Sequence, residues 1–213
     1  MKLYNIPEDP KTLIFDIDGT LYTSSEFVQE QIDVQIRHWA DLKGMTHEDA
    51  RKKIADFRKK YASENNGKKI SLGNVFLNFG VDIDTSIQWR IELLKPENYL
   101  EPNRQLKETL EAAARKYNLI CVTNNPVAAA RRTLRVLGID EILPQIIGLD
   151  TCRKSKPARE ILELALERTG SKACQCISIG DRHDIDLALP LEMGMGGVLV
   201  SGAEEVIEFL ETL

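Results

Sequence analysis

The stretch Leu13-Ile14-Phe15-Asp16-Ile17-Asp18-Gly19-Thr20-Leu21 constrains this chain more than any other. Three apolar residues run into two aspartates spaced by two, and a Gly-Thr turn follows. A short apolar run bounded by Pro10 and Gly19 reads as a buried strand. Side chains alternate along a strand, so Asp16 and Asp18 leave it toward the same side. Two carboxylates beside a run that must be buried are costly unless a cation or a reacting group needs them. An isolated Asp-Gly pair would be an ordinary turn. The full pattern Asp-x-Asp-Gly-Thr-Leu on an apolar strand points to chemistry at the strand's end instead.

After Leu21 the texture changes, and from about Glu26 to Leu94 only helical periodicity is present. Val28, Ile32, Ile36 and Trp39 fall at helical spacing, with Gly44 as a stop. Thr46 can cap a second helix with the stripe Ala50, Ile54, Phe57 and Tyr61. Ser63 to Lys69 reads as an exposed loop, and its Gly67-Lys68-Lys69 lacks the spacing of a phosphate-binding loop. Leu72, Val75, Phe76 and Phe79 form a short apolar face, and Asp84 can cap a fourth helix carrying Ile87, Ile91 and Leu94. Four amphipathic helices without a strand suggest a small bundle whose aromatic stripes are core.

Strand-like runs then return. Asn103 can cap a helix with Leu106, Leu110, Ala113 and Tyr117 on one face. Leu119-Ile120-Cys121-Val122 reads as a buried strand and meets Thr123-Asn124-Asn125-Pro126, where a helix should begin at Pro126. A strand ending in a hydroxyl residue at a helix N-terminus suits an anion, although Thr and Asn are also ordinary caps. Ile146-Ile147 is a third run, followed by the basic stretch Arg153-Lys154-Ser155-Lys156-Pro157. Cys176-Ile177-Ser178-Ile179 runs into Gly180-Asp181-Arg182-His183-Asp184-Ile185-Asp186, three carboxylates within six residues. Asp184 is a candidate cap for the next helix, and His183 reads as a loop residue. Gly197-Val198-Leu199-Val200 and a helix with Val206, Ile207 and Leu210 close the chain. Strands alternating with helices call for an α/β fold, a parallel Rossmann-like sheet with helices on both faces. Ligands in such sheets bind beyond the carboxyl ends of the strands, where the candidate residues fall.

The motif order resembles the haloacid dehalogenase (HAD) superfamily. Asp16-x-Asp18-Gly-Thr matches its first motif, Thr123 its second, Lys156-Pro157 its third and Gly180-Asp181 with Asp186 its fourth. Lys156 is preferred to Lys154 because the proline follows it and suits a helix's first turn. The resemblance implies a core of residues 1–22 and 101–213, with residues 23–100 as an all-helical C1 cap inserted after the first strand. It implies an Mg²⁺-dependent phosphohydrolase acting on a small phosphorylated metabolite. Asp16 would be the nucleophile that forms an aspartyl-phosphate, and Asp18 the acid and base. Asp16, Asp181 and the Asp18 backbone carbonyl would hold Mg²⁺, with Asp186 as the second acidic position and Asp184 its competitor. Mg²⁺ prefers oxygen, which leaves His183 out. Thr123, Asn124 and Lys156 would bind phosphate, and lysine and metal together would keep Asp16 ionised. Asp-Gly-Thr-Leu-Tyr-Thr-Ser-Ser and Tyr61…Gly67…Ser71-Leu72-Gly73 look like the pyrimidine 5′-nucleotidase branch, with a longer Tyr-to-Gly spacing here. A phosphomutase of the same fold is the alternative. A dehalogenase would lack Asp18, and a phospho-aspartate signalling receiver would order its motifs differently.

Bulk properties agree with that class. The 213 residues fit one domain plus an insert, and a net charge of −5 gives no footprint for a nucleic acid polymer. Cys121, Cys152, Cys174 and Cys176 make no metal-binding pair, no apolar run spans a membrane and the N-terminus has no signal-peptide pattern, so a reducing, cytoplasmic setting is expected.

Overall fold

Six strands pair into one sheet in the order β1-β6-β5-β2-β3-β4. They are β1 (Lys2–Tyr4), β2 (Thr12–Phe15), β3 (Asn118–Val122), β4 (Gln145–Ile147), β5 (Cys176–Gly180) and β6 (Gly196–Leu199). The computed structural model describes residues 1–68 and 70–213. Every pairing is parallel except β1 with β6, which is antiparallel. Sequence patterning shows the five parallel strands and misses β1, whose central Leu3 is 54% exposed. The chain divides into two compact units, Met1–Ser25 with Lys95–Leu213, and Glu26–Leu94.

The sheet belongs to the first unit. Its helices are α5 (Arg104–Ala114), α6 (Val127–Val136), α7 (Leu149–Cys152), α8 (Arg159–Thr169), α9 (Ala188–Glu192) and α10 (Ala203–Glu211), numbered after four in the second unit. Ile14, Ile120, Val122 and Ile147 pack with Ile161, Leu162 and Ala165 of α8. By strand alternation Leu13, Phe15, Leu119 and Cys121 face the other side, and they too are buried. Burial on both faces is why these strands read as continuous apolar runs. Asn103 caps α5 by accepting from the Leu106 N–H at 3.0 Å.

The second unit is helical: α1 (Ser25–Lys43), α2 (His47–Glu64), α3 (Leu72–Asn78) and α4 (Ile83–Leu93). Thr46 and Ser71 cap α2 and α3. The cap of α4 is Asp82, whose side chain accepts from the Thr85 N–H, and Asp84 sits inside the first turn. Ser63 and Glu64 belong to α2 instead of the expected loop, and Lys69 lies outside the described residues. On α1 the buried residues are Phe27, Gln35, Ile36, Trp39 and Ala40, while Val28 and Ile32 of the expected stripe are exposed. Trp39 stacks on Phe79 at 5.1 Å between ring centroids, and Phe76 lies 5.8 Å from Trp39 and 5.5 Å from Trp89.

Phe76 is fully buried among these rings, so Phe76→Ala should cost about 3–5 kcal/mol of stability. Leu77→Ala, at a residue 59% exposed, should stay within about 0.5 kcal/mol. Urea melts of both variants check the pair, and an equal loss would show that the aromatic cluster does not hold the unit together.

Candidate active site

The ladder continues one residue beyond the strands. The Asp16 N–H donates to the Ile179 carbonyl at 2.9 Å, Thr123 N–H to Ile147 at 3.0 Å and Val200 N–H to Gly180 at 3.0 Å. Asp16, Thr123 and Gly180 are thereby fixed at the carboxyl ends of β2, β3 and β5. Gly19 takes φ +80, and a Cβ there would meet Asp181 Oδ2 at 2.7 Å. A Cβ on Gly180 would meet the Asp186 Cβ at 2.4 Å. Both glycines therefore make room for a carboxylate, and Gly19 also supplies a conformation that other residues adopt at a cost.

Lys156 is nearly buried. Its Nζ lies 2.6 Å from Asp16 Oδ1 and 2.7 Å from Asp186 Oδ1. Its own N–H donates to Asn124 Oδ1 at 2.6 Å, so the Asn124 carbonyl anchors the lysine's backbone. Lys154 is exposed and pairs with Glu160. Pro157 precedes α8 by two residues, so the argument that placed it in a helix's first turn fails, although Lys156 is the lysine at the carboxylates.

Asp18 takes a different environment. Its Oδ1 accepts from the Tyr22 hydroxyl at 2.6 Å and its Oδ2 from the Asn125 side-chain amide at 2.9 Å, with Thr123 Oγ1 3.5 Å away. The Thr123 hydroxyl accepts from the Asn125 N–H at 3.1 Å. Pro126 is the cap of α6 and not its first residue, and the Val127 N–H donates to Asp150 Oδ1 at 2.9 Å. That amide, expected to await an anion, already has one within the chain.

Asp16, Asp181 and Asp186 each present an oxygen within 4.8 Å of the others. Asp186 is buried, and its Oδ2 accepts from the Arg182 N–H at 3.0 Å. Asp184 caps nothing: His183–Leu187 forms a π-helical turn in which Asp184 is exposed and Asp186 is turned inward. His183 points to a neighbour of another kind, the Tyr4 ring at 5.4 Å. Asp16 Oδ2 and Asp181 Oδ1 are buried and have no hydrogen-bond partner among the described residues. Buried carboxylate oxygens without donors fit an all-oxygen cation site, a donor set that suits a hard divalent ion and not zinc.

Burial raises the Asp16 carboxyl to about 7, outweighing the attraction of Lys156, while Asp186 and Asp18 push the same way as burial. With Lys156 as the neighbouring cation and no metal, burial therefore prevails in setting the Asp16 carboxyl. Burial also raises Asp181. Lys156 is raised because its two carboxylates outweigh its own burial. Two residues at the site carried no distinct sequence signal. Asn125 stands beside an equivalent Asn124, and Arg182 is one of many surface-type cations.

Residues 10–194 match the family model of haloacid dehalogenase-like hydrolases. The pyrophosphatase PpaX of Listeria welshimeri is 27% identical over 202 residues, covering 93% of this chain and 88% of its own. A glyceraldehyde 3-phosphate phosphatase of Methanocaldococcus jannaschii is 27% identical over 195 residues, covering 87% and 82%. The crystal structure of a HAD phosphatase from Thermococcus onnurineus shares the fold with a TM-score of 0.62 at 20% identity, over 94% of this chain and 97% of that one.

The Asp16 carboxyl at about 7, against an ordinary 3.8, means that the metal-free fold holds this proton more tightly than the unfolded chain. A folded-state value above the unfolded one contributes stability that is complete below the unfolded value and is lost as pH rises through about 7. Thermal melts in EDTA between about pH 5 and pH 8 should show that decline, and Asp16→Asn should flatten it. Parallel curves for the two proteins would mean that Asp16 is ionised without metal.

Proposed function

The chain belongs to the haloacid dehalogenase-like hydrolases, and from its site we propose that it is an Mg²⁺-dependent phosphatase of small phosphorylated metabolites. The observation that carries this reading is Asp16, buried at the end of β2 with one oxygen 2.6 Å from Lys156 and the other without a hydrogen bond among the described residues. A carboxylate paired through one oxygen and without a donor on the other is arranged as a nucleophile.

Asp16, Asp181 and Asp186 would hold the cation directly or through water, and the Asp18 carbonyl is a further candidate ligand. When bound, Mg²⁺ supplies the positive charge that lets a phosphate dianion approach a carboxylate. Asp16 Oδ2 then attacks phosphorus, the bond to the leaving oxygen breaks, and Asp18 gives that oxygen a proton. In the second half Asp18 takes a proton from water, whose oxygen attacks the aspartyl-phosphate and frees Asp16 and inorganic phosphate. Tyr22 and Asn125 fix both oxygens of Asp18 for this exchange. Lys156 balances the charge of Asp16 and would stabilise the transferring oxygens, and Thr123 supplies a hydroxyl at the neighbouring strand end. Asn124 serves this set by anchoring Lys156 through its backbone. The family resemblance implies that residues 23–100, which include the helical unit Glu26–Leu94, would act as the cap that selects the substrate.

The relatives' names, pyrophosphatase and glyceraldehyde 3-phosphate phosphatase, direct the assay toward small phosphate compounds. Phosphate release from pyrophosphate, triose phosphates, phosphoglycolate and nucleotides should require Mg²⁺, stop in EDTA and fall at least about a thousandfold in Asp16→Asn. Undiminished release by Asp16→Asn would sink the nucleophile assignment. Rearrangement of a sugar bisphosphate without release would establish the mutase instead.

A further inference from the structure

Arg182 follows the metal-ligand candidate Asp181 directly, and no step above uses it. Its guanidinium lies across the whole acidic cluster. Nη2 is 4.0 Å from Asp16 Oδ2, and Nε is 3.6 Å from Asp181 Oδ1 and 4.0 Å from Asp186 Oδ2. The first two of these oxygens are the buried ones without hydrogen bonds among the described residues. The separations are too long for hydrogen bonds but short enough for strong attraction. The side chain is 48% exposed, against 7% for Lys156, so it can swing into solvent where the lysine cannot.

We propose that Arg182 is a resident counter-cation of the cluster, one that yields to the metal and sets how tightly the metal is held. The inference rests on the reading of Asp16, Asp181 and Asp186 as the Mg²⁺ site. The charges give its direction. Ionised, the three aspartates carry three negative charges, and Lys156 and Arg182 return two, leaving one. Removing Arg182 leaves two, so the empty cluster repels itself more and attracts a dication more. Once the metal is bound, the same guanidinium adds a positive charge beside the incoming phosphate. One side chain thus weakens metal binding and strengthens anion binding. That opposition separates a charge role from a packing role, because damage to packing would weaken both.

The test is calorimetric titration of the whole protein with Mg²⁺ at about pH 8.5, above the Asp16 value of about 7, followed by inorganic phosphate at saturating Mg²⁺. Arg182→Gln should bind Mg²⁺ roughly tenfold more tightly and phosphate roughly tenfold more weakly, the scale of one unit charge a few ångströms away in a half-exposed site. Its metal-free melting temperature should drop and its Mg²⁺-induced rise should grow. Arg182→Ser supplies a second neutral side chain should the first fail to fold, and Arg182→Lys should remain close to wild type. Mg²⁺ binding that is unchanged or weaker in both neutral variants, with normal binding by wild type, would overturn the role of Arg182 alone. Wild-type protein that takes up no Mg²⁺ would overturn the metal site and this inference together.

Discussion

The ammonium of Lys156, shared between Asp16 and Asp186, is the contact on which the site depends. Three ionisable groups are removed from water at one point, and their desolvation is tolerated only while each keeps its partner. The surroundings are organised to hold that geometry. Asn124 fixes the lysine's backbone, and Ser178 Oγ donates to the Asp186 carbonyl at 2.8 Å. The Arg182 N–H holds the far oxygen of Asp186. Removal of Lys156 would strand the two buried aspartates, a loss that typically costs about 3–5 kcal/mol. The triad also explains why burial dominates the protonation of Asp16: the lysine beside it is shared with a second carboxylate.

The sheet fixes where that contact lies. Ladder bonds continue past β2, β3 and β6, so the groups at the strand ends inherit the precision of the backbone. Asp16 and Asp18 leave the same strand but meet opposite conditions. Asp16 is packed against cations and acids, and Asp18 is held by a phenol and an amide. Separate environments suit two carboxylates to two tasks. The fold alone does not decide the chemistry, since parallel sheets of this kind host many reactions. The side chains at the strand ends narrow it.

Much of this was legible in the sequence, for physical reasons. Strands buried on both faces read as unbroken apolar runs, which made Leu13–Phe15, Leu119–Val122 and Cys176–Ile179 visible. Caps with local hydrogen bonds, Thr46 and Asn103, were visible for the same reason that they work: their partners are three residues away. Features that depend on distant partners were not. β1 exists because Lys2–Tyr4 pairs with residues 197–199, and no local pattern announces that. The π-helical turn at His183–Leu187 buries Asp186 and leaves Asp184 exposed, whereas a sequence read for ordinary caps favours Asp184 as a cap. Lys156 was identified through a proline whose supposed helical role the structure does not bear out. Asn125 and Arg182 gain their meaning from what the fold brings near them.

Gly19 and Gly180 give the site a property of another kind. At each position the space of a missing methyl group is filled by an acidic side chain, Asp181 against one and Asp186 against the other. A single-nucleotide change to Ala at either position would act by displacing a carboxylate, without altering any charged residue. The acidic centre is thus genetically fragile at two residues that carry no functional group. Mutational tolerance mapped across the chain would single out these two backbone positions alongside the aspartates, and a survey limited to chemically active side chains would overlook them.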